Sequence, residues 1–106
     1  MREATFLILT ALAGGPRHGY GITKEVGALS SGRVTLLPGT LYTALDRLAA
    51  QGLVERDREE IAEGRLRRYY RLSRAGLAAL EVEVARLRQL TAAAEARLRK
   101  LRPHTA

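Results

Sequence analysis

The sequence contains no cysteine. Disulfides and cysteine-liganded metals are therefore excluded, and the chain suits a reducing compartment such as the cytoplasm. Histidine is scarce too: His18 and His104 stand far apart. With no nucleophile beside a base and no carboxylate pair set for a pocket, the pattern is not that of an enzyme, a metal site or a cofactor-binding protein. Glu59, Glu60 and Glu63 lie in or near a hairpin loop, a poor place to desolvate a carboxylate. GGPRHGYG has the glycines of a phosphate-binding loop, but no strand is expected before it. Long apolar runs are missing as well. ATFLILTALA, from Ala4 to Ala13, is the main one, and it falls well short of the ~20 residues that span a bilayer. Without a basic lead-in beyond Arg2 or a cleavage site, it reads as a buried helix, not a secretion signal. Tryptophan is absent and there is one Phe, so no aromatic-lined pocket is declared.

Acidic residues are the minority: 11 against 18 Lys and Arg, giving a net charge of +7 and a pI near 10.8. That imbalance favours a polyanionic partner, nucleic acid first and an acidic membrane surface second. A chain of 106 residues is one domain in size, and one this short buries only ~60–70% of its unfolded surface. Further apolar burial against a partner chain would help it.

Glu3 to Ala13 is apolar nearly all round, which suits a helix surrounded by others. AGGPRHG then breaks the chain with three glycines and a proline. A second helix is expected from Tyr20 to about Leu29, with Ile22, Val26 and Leu29 as its apolar stripe. SSGR ends it, and VTLL follows as a short extended piece. PGTLYTALDRLAAQG is a third helix, with Pro38 suited to its first position and Gly52 to the residue beyond its end. At ~100° per residue, Ala44, Leu45 and Leu48 fall within ~60° of Leu41 and make the buried face. Gly39, Thr43, Asp46, Arg47 and Ala50 point the other way.

LVERDRE and RRYYRLS read as two antiparallel strands joined by a loop, EIAEGR, around Gly64. Arg68, Tyr70 and Leu72 share one face. Ser73 can cap a last helix reaching to Leu101, ~42 Å long at ~1.5 Å per residue. Its apolar positions are Leu77, Leu80, Val84, Leu87, Thr91, Ala94, Leu98 and Leu101, a heptad sustained throughout. So long a stripe cannot be covered by so small a body. A second copy of the chain is the economical partner, although a helix folded back on its own domain is the alternative. RPHTA is expected to fray.

Helix, helix, helix, strand, loop, strand, long helix is the order of a winged helix-turn-helix domain, here residues 1–73, followed by a dimerisation helix and short tail, residues 74–106. The fold class is mostly α with a two-stranded β wing. In that layout the third helix enters a major groove about 12 Å wide, so its outer face must be polar and low. Gly39, Thr43 and Ala50 meet the second condition; Thr40, Tyr42, Thr43 and Arg47 supply donors.

FLILTALAGGPRHGYGI, LPGTLYTALDRLAAQGLVE and GRLRRYYRLSRAGLAAL together resemble the PadR family of bacterial transcriptional regulators, over about residues 5 to 80. The composite of H-G-Y, G-T-L-Y with L-x-x-L-x-x-x-G, and R-R-Y-Y-R-L-S carries the likeness. It implies a dimeric repressor acting in the cytoplasm on the nucleoid, of the short form with one long C-terminal helix. It also implies that Thr40, Tyr42 and Thr43 sit at the DNA groove beside Arg47 and Gly39, and that a small molecule or stress regulates binding. Inverted-repeat half-sites would be read by two recognition helices. For Tyr42, groove contact and flank packing weigh equally. Arg65 and Arg67, near the wing tip, are assigned to phosphates, because the facing strand offers Glu55, Asp57 and Glu59 to the other wing arginines. Lys24 is a candidate backbone contact, His18 a helix cap and Tyr20 a core residue. The competing reading is a winged-helix module that binds protein instead of DNA; a membrane-surface helix is a distant third, since the last helix has no aromatic face.

Overall fold

The computed structural model describes residues 1–102. The elements are α1 (Glu3–Ala13), β1 (Arg17–His18), α2 (Gly19–Leu29), α3 (Pro38–Ala50), β2 (Val54–Ala62), β3 (Arg65–Leu72) and α4 (Arg74–Leu101). α1, α2 and α3 enclose the core, closed by the base of the sheet and the start of α4. Ile8, Leu9, Ile22, Val26, Leu41, Leu45 and Leu48 are its most buried side chains, with Val54, Tyr70 and Leu80 at its edges. α1 therefore has the near-continuous apolar surface of a central helix, and α3 buries the Leu41, Ala44, Leu45, Leu48 stripe that its periodicity predicts. Pro38 opens α3, and Gly52, at φ +75°, follows its C-terminal turn. That left-handed backbone suits glycine and turns the chain directly into β2.

The sheet differs from expectation in two ways. It has three strands in the order β1-β3-β2 rather than two, because Arg17 and His18 pair with Tyr70 and Tyr69. Two residues are too few for a strand pattern, and their partners lie far along the chain. The β2–β3 hairpin is also longer than expected. Ala62 pairs with Arg65, leaving a turn of only Glu63 and Gly64, at φ +52° and +74°. Both central residues are left-handed, the geometry that matches strand twist in a two-residue hairpin. A register shift between Arg56 and Glu59 breaks the ladder midway.

VTLL joins no sheet; Leu37, at its end, has extended backbone, and Leu36 is buried. Two further expectations are corrected. Leu29 is 44% exposed; Ser30 takes the inward place, its hydroxyl donating to the Val26 carbonyl at 2.8 Å and accepting from the Val34 amide at 3.0 Å. Tyr20 is 71% exposed and not in the core. It precedes Ile22 by two residues, ~200° around the helix, and so faces out.

Ser73 caps α4 as predicted. Its Oγ accepts from the Gly76 amide at 2.9 Å and donates to the Gly52 carbonyl at 2.6 Å. A Cβ at Gly76 would collide with the Leu53 carbonyl, so glycine allows α4 to start flush against the chain entering β2. The apolar stripe of α4 divides in two. Leu80 lies in the chain's own core, which corrects its assignment to a face for a second subunit; Val84 and Leu87 are half-buried in a groove shared with Phe6 of α1. Leu77 is half exposed, Thr91 lines the same groove from its exposed side, and Ala94, Leu98 and Leu101 are exposed beyond it. The particle measures 64 Å along its longest axis and 27 Å across. Of the RPHTA tail, residues 103–106 lie outside the described residues, so its expected fraying is not addressed.

Candidate nucleic-acid interface

α3 presents an exposed ridge of Gly39, Thr40, Tyr42, Thr43, Asp46 and Arg47 between two concavities. On the wing side, an open cleft of about 510 Å³ is lined by His18, Gly19, Tyr20, Tyr42 and residues 65–68 of β3. On the other side, a groove against α1 is lined by Gly39, Thr40, Thr43 and Arg47, with Ala4, Thr5 and Ile8. Arg47 leans towards α1, its Nη2 3.4 Å from the Thr5 hydroxyl, and remains exposed. Tyr42 does both things expected of it: it is 45% exposed, yet its hydroxyl packs where a Cβ on Gly19 would stand. Lys24 is exposed on α2 but lines neither concavity.

The wing arginines fall into two sets. Arg71 bridges Glu55 at 2.9 Å and Asp57 at 3.0 Å; Arg58 holds Asp57 at 2.9 Å and Glu60 at 2.7 Å; Arg68 faces Glu59 at 3.4 Å. Hydrogen bonds from Arg71 and then Arg58 hold the Asp57 carboxyl below its ordinary range, and Arg58 does the same for Glu60. Arg56, Arg65 and Arg67 pair with no carboxylate among the described residues. Of these, Arg65 and Arg67 lie at the cleft, beside Tyr42. Acids of β2 thus neutralise Arg58, Arg68 and Arg71 along the base and middle of the hairpin and leave Arg65 and Arg67, towards its tip, uncompensated at the cleft beside α3.

At the head of α2, His18 is the N-cap, its Nδ1 accepting from the Gly21 amide at 3.3 Å. Its ring stacks on Tyr20 (centroids 6.4 Å apart, planes within 10°) and meets the edge of Tyr69 at 5.2 Å. Arg58 lies over the Tyr69 ring, 3.9 Å from its centroid. Tyr20 and His18 are therefore cleft residues that the sequence reading assigned to packing and capping alone. The signal was available in the helical angle of Tyr20, opposite to Ile22. Among the described residues no group of acids or histidines could hold a metal, and no helix is long and apolar enough to cross a membrane.

Three helices with a polar third ridge, and a hairpin folded beside it, define a winged helix-turn-helix protein. Residues 8–82 match the Transcriptional regulator PadR-like family, and the chain belongs to that family of regulators, which are not enzymes. Among relatives, it is 41% identical over 73 residues to transcriptional regulator Rv3488 of Mycobacterium tuberculosis, covering 69% of this chain and 64% of that protein. It is 44% identical over 89 residues to an uncharacterised 37.1 kDa protein in transposon TN4556 of Streptomyces fradiae, covering 84% of this chain and 24% of the other. The chain thus spans less than two thirds of the length of either. Among solved structures, a PadR family transcription regulator from Clostridium difficile superposes with a TM-score of 0.76 at 25% identity, over 92% of this chain and 99% of that one. Bacillus subtilis PadR, solved in complex with operator DNA, gives 0.68 at 23% identity, over 78% of this chain and 47% of its own.

Proposed function

We propose that the chain binds duplex DNA as a homodimer and represses transcription from an inverted-repeat operator, in the cytoplasm on the nucleoid. The observation that carries this reading is the division of wing arginines: Arg65 and Arg67, free of acids, share a cleft with the exposed ridge of α3, while Arg58, Arg68 and Arg71 are neutralised. A polar ridge beside unpaired cations is what a major groove flanked by phosphates requires. The net charge of +7 and the fold shared with an operator-bound protein support it. In this reading residues 1–73 are the DNA-binding unit. Gly39, Thr40, Tyr42, Thr43 and Arg47 meet the groove, and Arg65, Arg67 and Lys24 meet phosphates.

Residues 74–106 are the dimerisation unit. Leu98 and Leu101 are 54% and 79% exposed on a helix that outruns its own body, and a second α4 covers them together with Leu77, Thr91 and Ala94. Val84 and Leu87, half-buried beside Phe6, complete the seam at its inner end. The groove there is the place for the small-molecule inducer that the family resemblance implies. Two α3 ridges then address half-sites one helical turn apart, ~34 Å. The repressor role rests on the family resemblance.

The test is a gel-shift titration of the full chain at two salt concentrations, against random duplex and against duplex selected from a random pool. Binding to both is expected, with affinity falling as salt rises and the selected sequence bound at least ~10³-fold more tightly. A chain that ignores duplex even in dilute buffer is instead a protein-binding winged helix.

A further inference from the structure

The α2 N-cap is a histidine, where Ser, Thr, Asp or Asn is usual. The Gly21 amide can only donate, so the Nδ1 of His18, 3.3 Å away, must accept. A neutral imidazole accepting at Nδ1 carries its proton on Nε2. That Nε2 stands 3.2 Å from Nη1 of Arg67, a group that has donors and no acceptor. With the cap made, the two side chains meet donor to donor; the opposite tautomer would let Nε2 accept from Arg67 and leave the Gly21 amide uncapped. Burial lowers the pKa of His18, the Arg67 charge lowers it further, and the nearby Glu60 only partly opposes them, which keeps the ring neutral near pH 7. Glu60 is itself held by Arg58 at 2.7 Å and leaves Arg67 without a counterion. Tyr20 and Tyr69 fix the ring from α2 and β3. Both donors border the open cleft beside α3.

We propose that His18 Nε2–H and the Arg67 guanidinium together clamp one backbone phosphate of bound duplex, an inference that rests on the DNA-binding reading above. One phosphate oxygen, or two on the same phosphorus, accepts from both groups and resolves the donor–donor contact. His18 then has two duties, capping α2 through one nitrogen and holding DNA through the other. The cap selects the tautomer that makes the phosphate donor available.

The two duties can be separated. His18→Asn keeps an acceptor for the Gly21 amide and removes the outer N–H; His18→Gln keeps an outer N–H and loses the cap. Ring nitrogen shifts of the free full-length protein at pH 7.5 are expected to show the Nε2–H tautomer. With random duplex as probe, His18→Asn is expected to lose about tenfold in affinity, as for a hydrogen bond to a charged group, while its thermal midpoint falls less than that of His18→Gln because the cap survives the loss of the ring contacts. Its salt dependence stays that of the wild type, since a neutral donor releases no counterion, whereas Arg67→Ala lowers the slope by about one phosphate. His18→Gln, which offers an N–H on a longer arm, is expected to recover part of that affinity but to melt earlier than His18→Asn. On selected duplex, replacing phosphates singly by methylphosphonate should reveal one position where the substitution weakens the wild type more than it weakens either His18→Asn or Arg67→Ala, each of which has already lost one of the two bonds to it. The clamp is overturned by the Nδ1–H tautomer, by wild-type affinity in His18→Asn, or by separate sensitive phosphates for the two residues. Displacement of duplex by millimolar inorganic phosphate at fixed ionic strength would also overturn it, assigning the pair to a small anion. Those outcomes leave DNA binding intact; a wild-type chain that binds no duplex at all sinks both readings.

Discussion

Gly39 occupies the first turn of α3, and a Cβ added there would meet nothing within 4 Å. Neither packing nor backbone conformation asks for glycine at this position, and helical glycine costs ~0.5–1 kcal/mol relative to alanine. Close approach of a partner is the remaining reason. Gly39→Ala is therefore expected to raise stability by up to ~1 kcal/mol in denaturant titration while weakening binding to selected duplex several-fold. Gly27, on α2 with equal open space, is the control: Gly27→Ala should bring the same stability and leave binding alone. A Gly39→Ala protein that binds as well as the Gly27→Ala control removes Gly39 from the interface. Among the arginines, Arg65→Ala is expected to flatten the salt dependence of binding, and Arg71→Ala, already engaged by Glu55 and Asp57, to change it little. Equal slopes for the two variants would contradict the division of the wing. At this scale the sequence was informative where a residue's role is local. The Ser73 cap, the Pro38 start and the His18 cap all follow from neighbours within four positions. Tyr20 has the composition of a core aromatic beside an apolar stripe, but its helical angle, ~200° from Ile22, turns it outward.

The helices were legible as elements: α3 and α4 each obey one period over at least ten residues, and α1 is apolar nearly all round over its whole length. The sheet was less so. β1 exists only because Tyr69 and Tyr70 lie opposite Arg17 and His18, a pairing without a local signature. The hairpin turn went unrecognised because Glu-Gly is a weaker signal than Asn-Gly or Asp-Gly for two left-handed residues. The junction between hairpin and rod depends on Ser73. Its hydroxyl serves both the Gly76 amide and the Gly52 carbonyl, so Ser73→Ala is expected to cost ~1–2 kcal/mol of unfolding free energy. The wing's acids set its response to pH. The folded pKa values of Asp57 and Glu60 are lowered by arginine partners, so their contribution is present above the unfolded values, ~3.9 and ~4.3, and lost as pH falls through the folded ones. The thermal midpoint should be flat from pH 5 to 8 as far as these pairs are concerned, and drop below about pH 4. A midpoint that climbs on acidification would show that they do not hold the wing.

For the whole molecule, charge and the heptad were the readable features, and the division of the α4 stripe was not. Leu80 had the spacing of an interface residue, yet α1 comes close enough to cover it, and only the folded arrangement shows where that cover stops. The outer leucines are therefore the place to test assembly. Leu98→Glu combined with Leu101→Glu is expected to give the mass of one subunit in light scattering. Each subunit would then engage one half-site alone, and affinity for selected duplex should fall by ~10²-fold or more as the second contact ceases to be intramolecular. A double variant that keeps twice the subunit mass would place the association surface elsewhere.

β3 ends at Leu72 and α4 begins at Arg74, with the single intervening residue hydrogen-bonded both ways. There is no hinge between the part proposed to touch DNA and the part proposed to pair with a second copy. In the proposed dimer, the two subunits would form a rigid caliper. Inserting one base pair between half-sites rotates one of them by ~34° about the DNA axis, given ~10.5 base pairs per turn. The protein has no slack with which to follow, so tolerance to spacer length should be close to zero, and a ligand that altered the angle between the rods by a few degrees would be enough to release the DNA.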